Sequence, residues 1–225
     1  MRDSSPLLLL EAAYRDIESN GLSRGLDTFC EALDANPGFL FALLRELTDD
    51  RVFATIRSSY HPIGFYSTVL SRHARKDYPS ARFIWFEPGH ALAEDIHDHA
   101  YDFSVIVVHG SIRERLFVER SHGVRYKKYK FDGTLLDSNV RTDVEEVACF
   151  SLQAGCRYQL DHDQLHMTAA LTPAAALLMF RSSYRRFDSR VLALENKSEP
   201  SRQKDLSHDD FRSLVERVNQ LSPVT

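Results

Sequence analysis

Two histidines separated by one residue, His97 and His99 in the run Ile96-His97-Asp98-His99, carry the clearest chemical signal in this chain. On a β-strand alternate side chains point to one face, so both imidazoles would project into the same interior. Two neutral imidazoles at that separation can share a first-row transition metal. The chain holds 10 histidines, so one H-x-H pair decides little alone. The elements around the pair have to carry the reading.

The first third of the sequence reads as helical. Leu9, Ala12, Ala13 and Ile17 share a face at helix spacing, and Asn20-Gly21 closes the segment. Leu26, Phe29, Cys30 and Leu33 suggest a second helix stopped at Asn36-Pro37-Gly38, and Phe39, Leu40, Leu43, Leu44 and Leu47 a third. A turn follows at His61-Pro62-Ile63-Gly64. From Arg82 onward the texture becomes aromatic and β-branched. Strands are expected at Phe83 to Phe86, Phe103 to Val108, Arg113 to Val118, Val124 to Phe131, Val147 to Leu152 and Ala175 to Arg181. Turn signals at Asp132-Gly133, Ala154-Gly155 and Thr172-Pro173 separate several of them. Short strands at this spacing predict a sandwich or barrel rather than βαβ units. A polar linker from Asn196 to Gln203 leads to a final helix, with Ser207 as N-cap and a stripe of Phe211, Leu214, Val215 and Val218.

In this frame the histidine pair resembles the first motif of the cupins, in which an H-x-H pair is followed by a glutamate and a closing glycine. Gly110 stands at the closing position. The second cupin motif is matched by Gly155 and His166, with Asp161, Asp163 and Ala170 where proline, glycine and asparagine are usual. The resemblance implies that His166 lies on a later strand as the third ligand. The position of the cupin glutamate falls on Phe103 or Ser104. Three histidines and no carboxylate therefore remain, unless Asp102 turns inward against strand parity.

A three-histidine cupin of this kind resembles the thiol dioxygenase (cysteine dioxygenase) family. The similarity runs over roughly residues 66–190. It includes Ser71-Arg72, Phe83 to Phe86, Pro88-Gly89-His90, Ile96 to His99, Gln164-Leu165-His166 and Phe187-Asp188. The family implies Fe(II) held by His97, His99 and His166, with a small thiol- or amino-acid-like carboxylate and O2 as reactants. It also implies Arg72 as the residue that grips the substrate carboxylate, which a guanidinium does through two parallel hydrogen bonds. The cysteine that animal members cross-link to tyrosine is replaced by Phe103 or Ser104. The family's Ser-x-His-x-Tyr relay falls on Met179, Arg181 and Ser183, with Tyr184 one residue off as a candidate polar partner.

The expected architecture is mainly β with α: a cupin-type jelly-roll barrel over 67–195, an N-terminal helical region over 1–66, and a linker and C-terminal helix over 196–225. Among other histidines, His109 reads as a turn residue, and His162 as a loop residue or an outer partner of His166. Trp85, Phe86, Phe103 and Tyr158 read as barrel core. The basic runs Tyr126 to Lys130 and Tyr184-Arg185-Arg186 read as solvated edges or loops.

A net charge of -4 gives no basic face for nucleic acid or an anionic membrane. Three cysteines without a CxxC pair point away from a disulfide scaffold and toward a reducing, cytoplasmic setting. The apolar run Leu7 to Leu10 is too short for a signal core or a membrane span. No phosphate-loop, dinucleotide or nucleophile-elbow motif occurs. Two alternatives to an oxygenase stay open here: a cupin metalloenzyme of another class, isomerase or decarboxylase, and a non-catalytic ligand-binding barrel.

Overall fold

The computed structural model describes residues 5–35, 38–61, 65–70, 78–87, 95–131, 135–186, 188–194 and 203–220, without the side chains of 135–139. Three helices come first, α1 (Pro6–Asn20), α2 (Leu22–Ala35) and α3 (Phe39–Glu46), followed by one turn, α4 (Asp50–Phe53). Pro6 sits in the first turn of α1, where its missing N–H is no loss. The buried stripe of α1 is Leu7, Leu10, Ala13 and Ile17. Leu10 rather than Leu9 is the inward leucine, because four consecutive leucines fit several stripes and packing on the next helix selects one. That packing is tight: a Cβ on Gly25 would stand 2.1 Å from Cγ1 of Ile17.

Strands then dominate: β1 (Arg57–His61), β2 (Phe65–Val69), β3 (Ser80–Phe86), β4 (Ile96–His97), β5 (Phe103–His109), β6 (Ser111–Arg120), β7 (Val124–Phe131), β8 (Leu135–Gln153), β9 (Arg157–Leu160), β10 (Leu165–Ala170), β11 (Ala175–Arg181), β12 (Ser189–Leu194) and β13 (Lys204–Asp205). The chain ends, as described, in α5 (His208–Gln220). Its start follows the expected N-cap: the amide of Asp210 donates to Ser207 Oγ over 3.1 Å, and that hydroxyl donates to the Asp210 carboxylate over 2.7 Å.

One sheet runs β13-β1-β2-β3-β11-β5-β9; the other, β10-β4-β12-β7-β8-β6, closes on itself. Among the described residues every strand pair is antiparallel. This bears out the expected class, mainly β with helices at both ends of the described chain. Gly110 makes the turn from β5 to β6 with φ 70°, and a Cβ there would meet the Ala174 carbonyl at 2.3 Å. Glycine at that motif position is thus a steric requirement.

Strand alternation in the first sheet sorts side chains between two cores. From β3 and β11, Ala81, Phe83, Trp85, Ala176, Leu178 and Phe180 pack against α1, α2, α3 and α5. Their neighbours Ile84, Phe86, Ala175, Leu177 and Met179 face inward and meet Phe103, Val105, Val107 and Ile112 between the sheets. Burial on both faces explains why β11 is an unbroken apolar run.

Three expectations are corrected. Val147 to Leu152 is the end of the long strand β8, whose earlier part is too polar to signal a strand. The basic run Tyr126 to Lys130 lies on β7 between β12 and β8, not at an edge, with Lys128 paired to Glu119 at 2.9 Å. His97 is on β4, but His99 lies beyond its end. No helix among the described residues is long and apolar enough to cross a membrane.

Candidate metal centre

Backbone pairing brings the distant third histidine to the first. His166 on β10 stands opposite His97 on β4. The ring centroids of His97 and His166 are 4.4 Å apart, those of His99 and His166 5.1 Å, and those of His97 and His99 5.2 Å. One ligand nitrogen from each ring lies within 4.8 Å of the others. His166 is buried and the other two are half-buried. His97, His99 and His166 thus come together although one of them has left the strand.

The hinge that allows this is Asp98. Its carboxylate is 1% exposed and accepts from the Arg190 amide at 2.6 Å, while the guanidinium groups of Arg186 and Arg190 both pair with it. Its own amide donates to the Arg190 carbonyl over 3.0 Å. Asp98 is thereby drawn away from the cavity, and the residues on either side turn their rings toward it. Arg186 also donates to the carbonyls of His99 and His162, at 3.2 and 3.4 Å. The basic run 184–186 lies in a loop after β11 as expected, with Arg185 exposed though paired to Asp102 at 3.0 Å, but Arg186 turns inward onto Asp98. Asp102 is occupied by Arg185 and by His162, whose Nδ1 is 2.9 Å away, and it does not join the triad.

The imidazoles are prepared as neutral ligands. Nδ1 of His166 is 3.0 Å from the Gln164 carbonyl, and Nδ1 of His97 is 3.3 Å from that of Asp95. A carbonyl only accepts, so Nδ1 carries the proton and Nε2 keeps its lone pair free. Burial lowers the pKa of all three histidines, and for His99 and His166 the neighbouring rings lower it further. All three are uncharged at neutral pH, so protons compete only weakly with a metal for their lone pairs. This donor set, three neutral imidazoles with ligand nitrogens within 4.8 Å of one another and two of the rings oriented by carbonyls, fits a divalent first-row cation.

Where cupins carry the glutamate, Phe103 faces the site, its ring 4.6 Å from His99 and 5.3 Å from His166. Ser104 points to Gln159 instead. On the other side Tyr101 stacks on His99 at 5.0 Å, and Tyr184 lies 5.1 Å from Tyr101. Tyr184 can pack beside Tyr101 because β11 ends at Arg181, which frees it from strand parity. Arg72 lies outside the described residues, as do Ser71, Pro88-Gly89-His90 and Phe187.

Sequence reading missed several residues that build the site. Asp98 was hidden between two louder residues, although a carboxylate flanked by metal-ligand histidines and matched by later arginines is a usable signal. Tyr101 and Arg82 gave none. Deeper in the barrel, Glu114 accepts from Thr168 at 2.7 Å and from Tyr158 at 3.2 Å. Burial pushes its pKa up to about 8, against those two hydrogen bonds, so this carboxyl is largely protonated at neutral pH.

No family model and no curated protein matches the sequence. Solved structures do. An RmlC-like cupin from Shewanella frigidimarina is 19% identical, with 55% of this chain and 80% of that one covered and a TM-score of 0.34. The cupin domain of Drosophila melanogaster CENP-C is 10% identical over 52% of this chain and 69% of that one, at a TM-score of 0.35. Fe(II)-HppE with an alternative substrate is 15% identical over 52% of this chain and 49% of that one, at 0.33. Two of these are cupins by name.

Proposed function

We propose that the chain is a mononuclear non-haem iron oxygenase of the thiol dioxygenase kind, acting on a small thiol- or amino-acid-like carboxylate with O2. The observation that carries this reading is the ligand set. Three neutral imidazoles, two of them oriented by backbone carbonyls, come together at the barrel interior, and an aromatic ring stands where a ligating carboxylate would be. That set differs from the two-histidine, one-carboxylate triad of many ferrous oxygenases. In this reading residues 67–195 form the metal-binding barrel, with the N-terminal region 1–66 and the C-terminal 196–225 packed on it, their strands β1 and β13 extending its first sheet. Bound there, ferrous iron would supply open coordination positions for a thiolate and dioxygen and the redox chemistry between them.

The protein supplies the rest. His97, His99 and His166 fix the cation, and the Asp98 ion pairs hold two of those rings in register. Phe103 and Tyr101 exclude water from the imidazole cluster, which strengthens every electrostatic interaction there. Arg72 would grip the substrate carboxylate, and the Tyr184 hydroxyl would donate a hydrogen bond beside it. The expected setting is cytoplasmic.

Iron content and oxygen uptake test the reading in sequence. Protein purified anaerobically should hold iron or take up added ferrous ion, and should then consume oxygen with a thiol carboxylate. Failure to bind ferrous ion removes the oxygenase reading. Iron binding without oxygen consumption on any small thiol removes the thiol assignment alone.

A further inference from the structure

Two arginines enter the barrel interior from the first sheet. Arg82 alternates on β3 with Ala81 and Phe83, which face the helices, and shares its face with Ile84 and Phe86, which face inward. Its cross-strand partner on β11 is Met179, also inward. Arg181 occupies the next inward position of β11, its guanidinium 5.3 Å from the centre of the Tyr101 ring and 4.8 Å from that of Tyr184. Tyr101 in turn stacks on the ligand His99. The charge of Arg82 reaches His99, His61, Tyr101 and Arg181, so both cations belong to the metal end of the barrel.

The Arg82 Nε is buried and has no hydrogen-bond partner. Among the described residues no carboxylate pairs with this side chain. The nearby acids are spent: Asp98 on Arg186 and Arg190, Asp102 on Arg185 and His162, and Glu114 on two hydroxyls. A guanidinium cannot shed its proton to escape burial. Arg82 as a whole is half-buried with its Nε inside, and a partly desolvated cation with no carboxylate beside it gains from an anion that arrives to pair with it.

We propose that Arg82, backed by Arg181, is an anion-binding residue of the metal cavity, and that its ligand is a small carboxylate bearing no ammonium group. This deepens the metal-site reading and rests on it for the position of the ligand. It is independent of Arg72. Two fixed cations beside a divalent metal attract a carboxylate and repel an ammonium, so zwitterionic amino acids are disfavoured against anions of the same size.

Calorimetry on the full chain, metal-free and cobalt(II)-loaded, with malonate and β-alanine as probes, tests this. Malonate should bind in both states, and β-alanine about tenfold more weakly or worse. Arg82→Gln should weaken malonate by about tenfold or more, with cobalt stoichiometry kept and the melting temperature equal to or above that of the wild type. Arg82→Lys should recover only part of the affinity, because an ammonium lacks the planar fork. The proposal is overturned if the wild type binds no malonate, if β-alanine binds as tightly as malonate, or if Arg82→Gln binds malonate as the wild type does. Should cobalt fail to bind while malonate still depends on Arg82, the metal reading falls and the anion site stands.

Discussion

Two groups of arginines flank the histidine cluster, and they are treated in opposite ways. On the outer side, Arg186 and Arg190 close on the fully buried Asp98, and Arg190 reaches on to Glu119 at 2.9 Å and the Asp163 carbonyl at 2.9 Å. On the inner side, Arg82 presents a buried Nε with no partner at all. The first arrangement pairs its charges on a carboxylate and fixes backbone, although the Nε of Arg186 is itself buried without a partner; the second has no carboxylate beside it among the described residues. The contrast separates what builds the site from what the site is built to receive.

The sharpest way to break that contrast is to remove the shared carboxylate. Asp98→Ala leaves two guanidinium groups without their acceptor and the His97–His99 turn without its anchor. Unfolding free energy should fall by about 3–5 kcal/mol, and metal affinity should drop with it. Chemical denaturation and metal titration read the two effects, and an unchanged metal affinity would show that Asp98 does not position the ligands.

A smaller effect comes from Glu114, an interior acid that gives up its charge instead of pairing it. Its folded carboxyl keeps its proton up to about pH 8, while the unfolded chain releases it above roughly pH 4.5. Between those values the folded state binds the extra proton, so this residue makes stability fall as pH rises. Glu114→Gln should remove that slope, making the variant more stable relative to wild type at pH 8 than at pH 5, by on the order of 2 kcal/mol. Parallel pH profiles of the two proteins would contradict the buried acid.

Much of the helical and strand content was legible because periodicity reports burial. The stripe Phe211, Leu214, Val215, Val218 on α5 is buried as expected, and Ala175 to Arg181 and Val124 to Phe131 match β11 and β7 at both ends. The strands that escaped notice have physical reasons. Arg57–His61 and Arg157–Leu160 carry too many polar residues, whereas Leu165–Ala170 was expected through the resemblance, which put His166 on a later strand. The three histidines were found through spacing and resemblance. Asp98, Tyr101 and Arg82 were not, because what surrounds them, such as Arg190 at Asp98 and Arg181 at Tyr101, is distant in sequence and identified only by tertiary pairing. Arg72 and half of the resembling loop segments lie outside the described residues.

The central claim is that His97, His99 and His166 form one metal site. Metal analysis of anaerobically purified wild type and His166→Ala, each shown to unfold cooperatively, addresses it directly. The account predicts about one tightly held iron per wild-type chain and none in the variant. Full occupancy in a folded His166→Ala protein would contradict it.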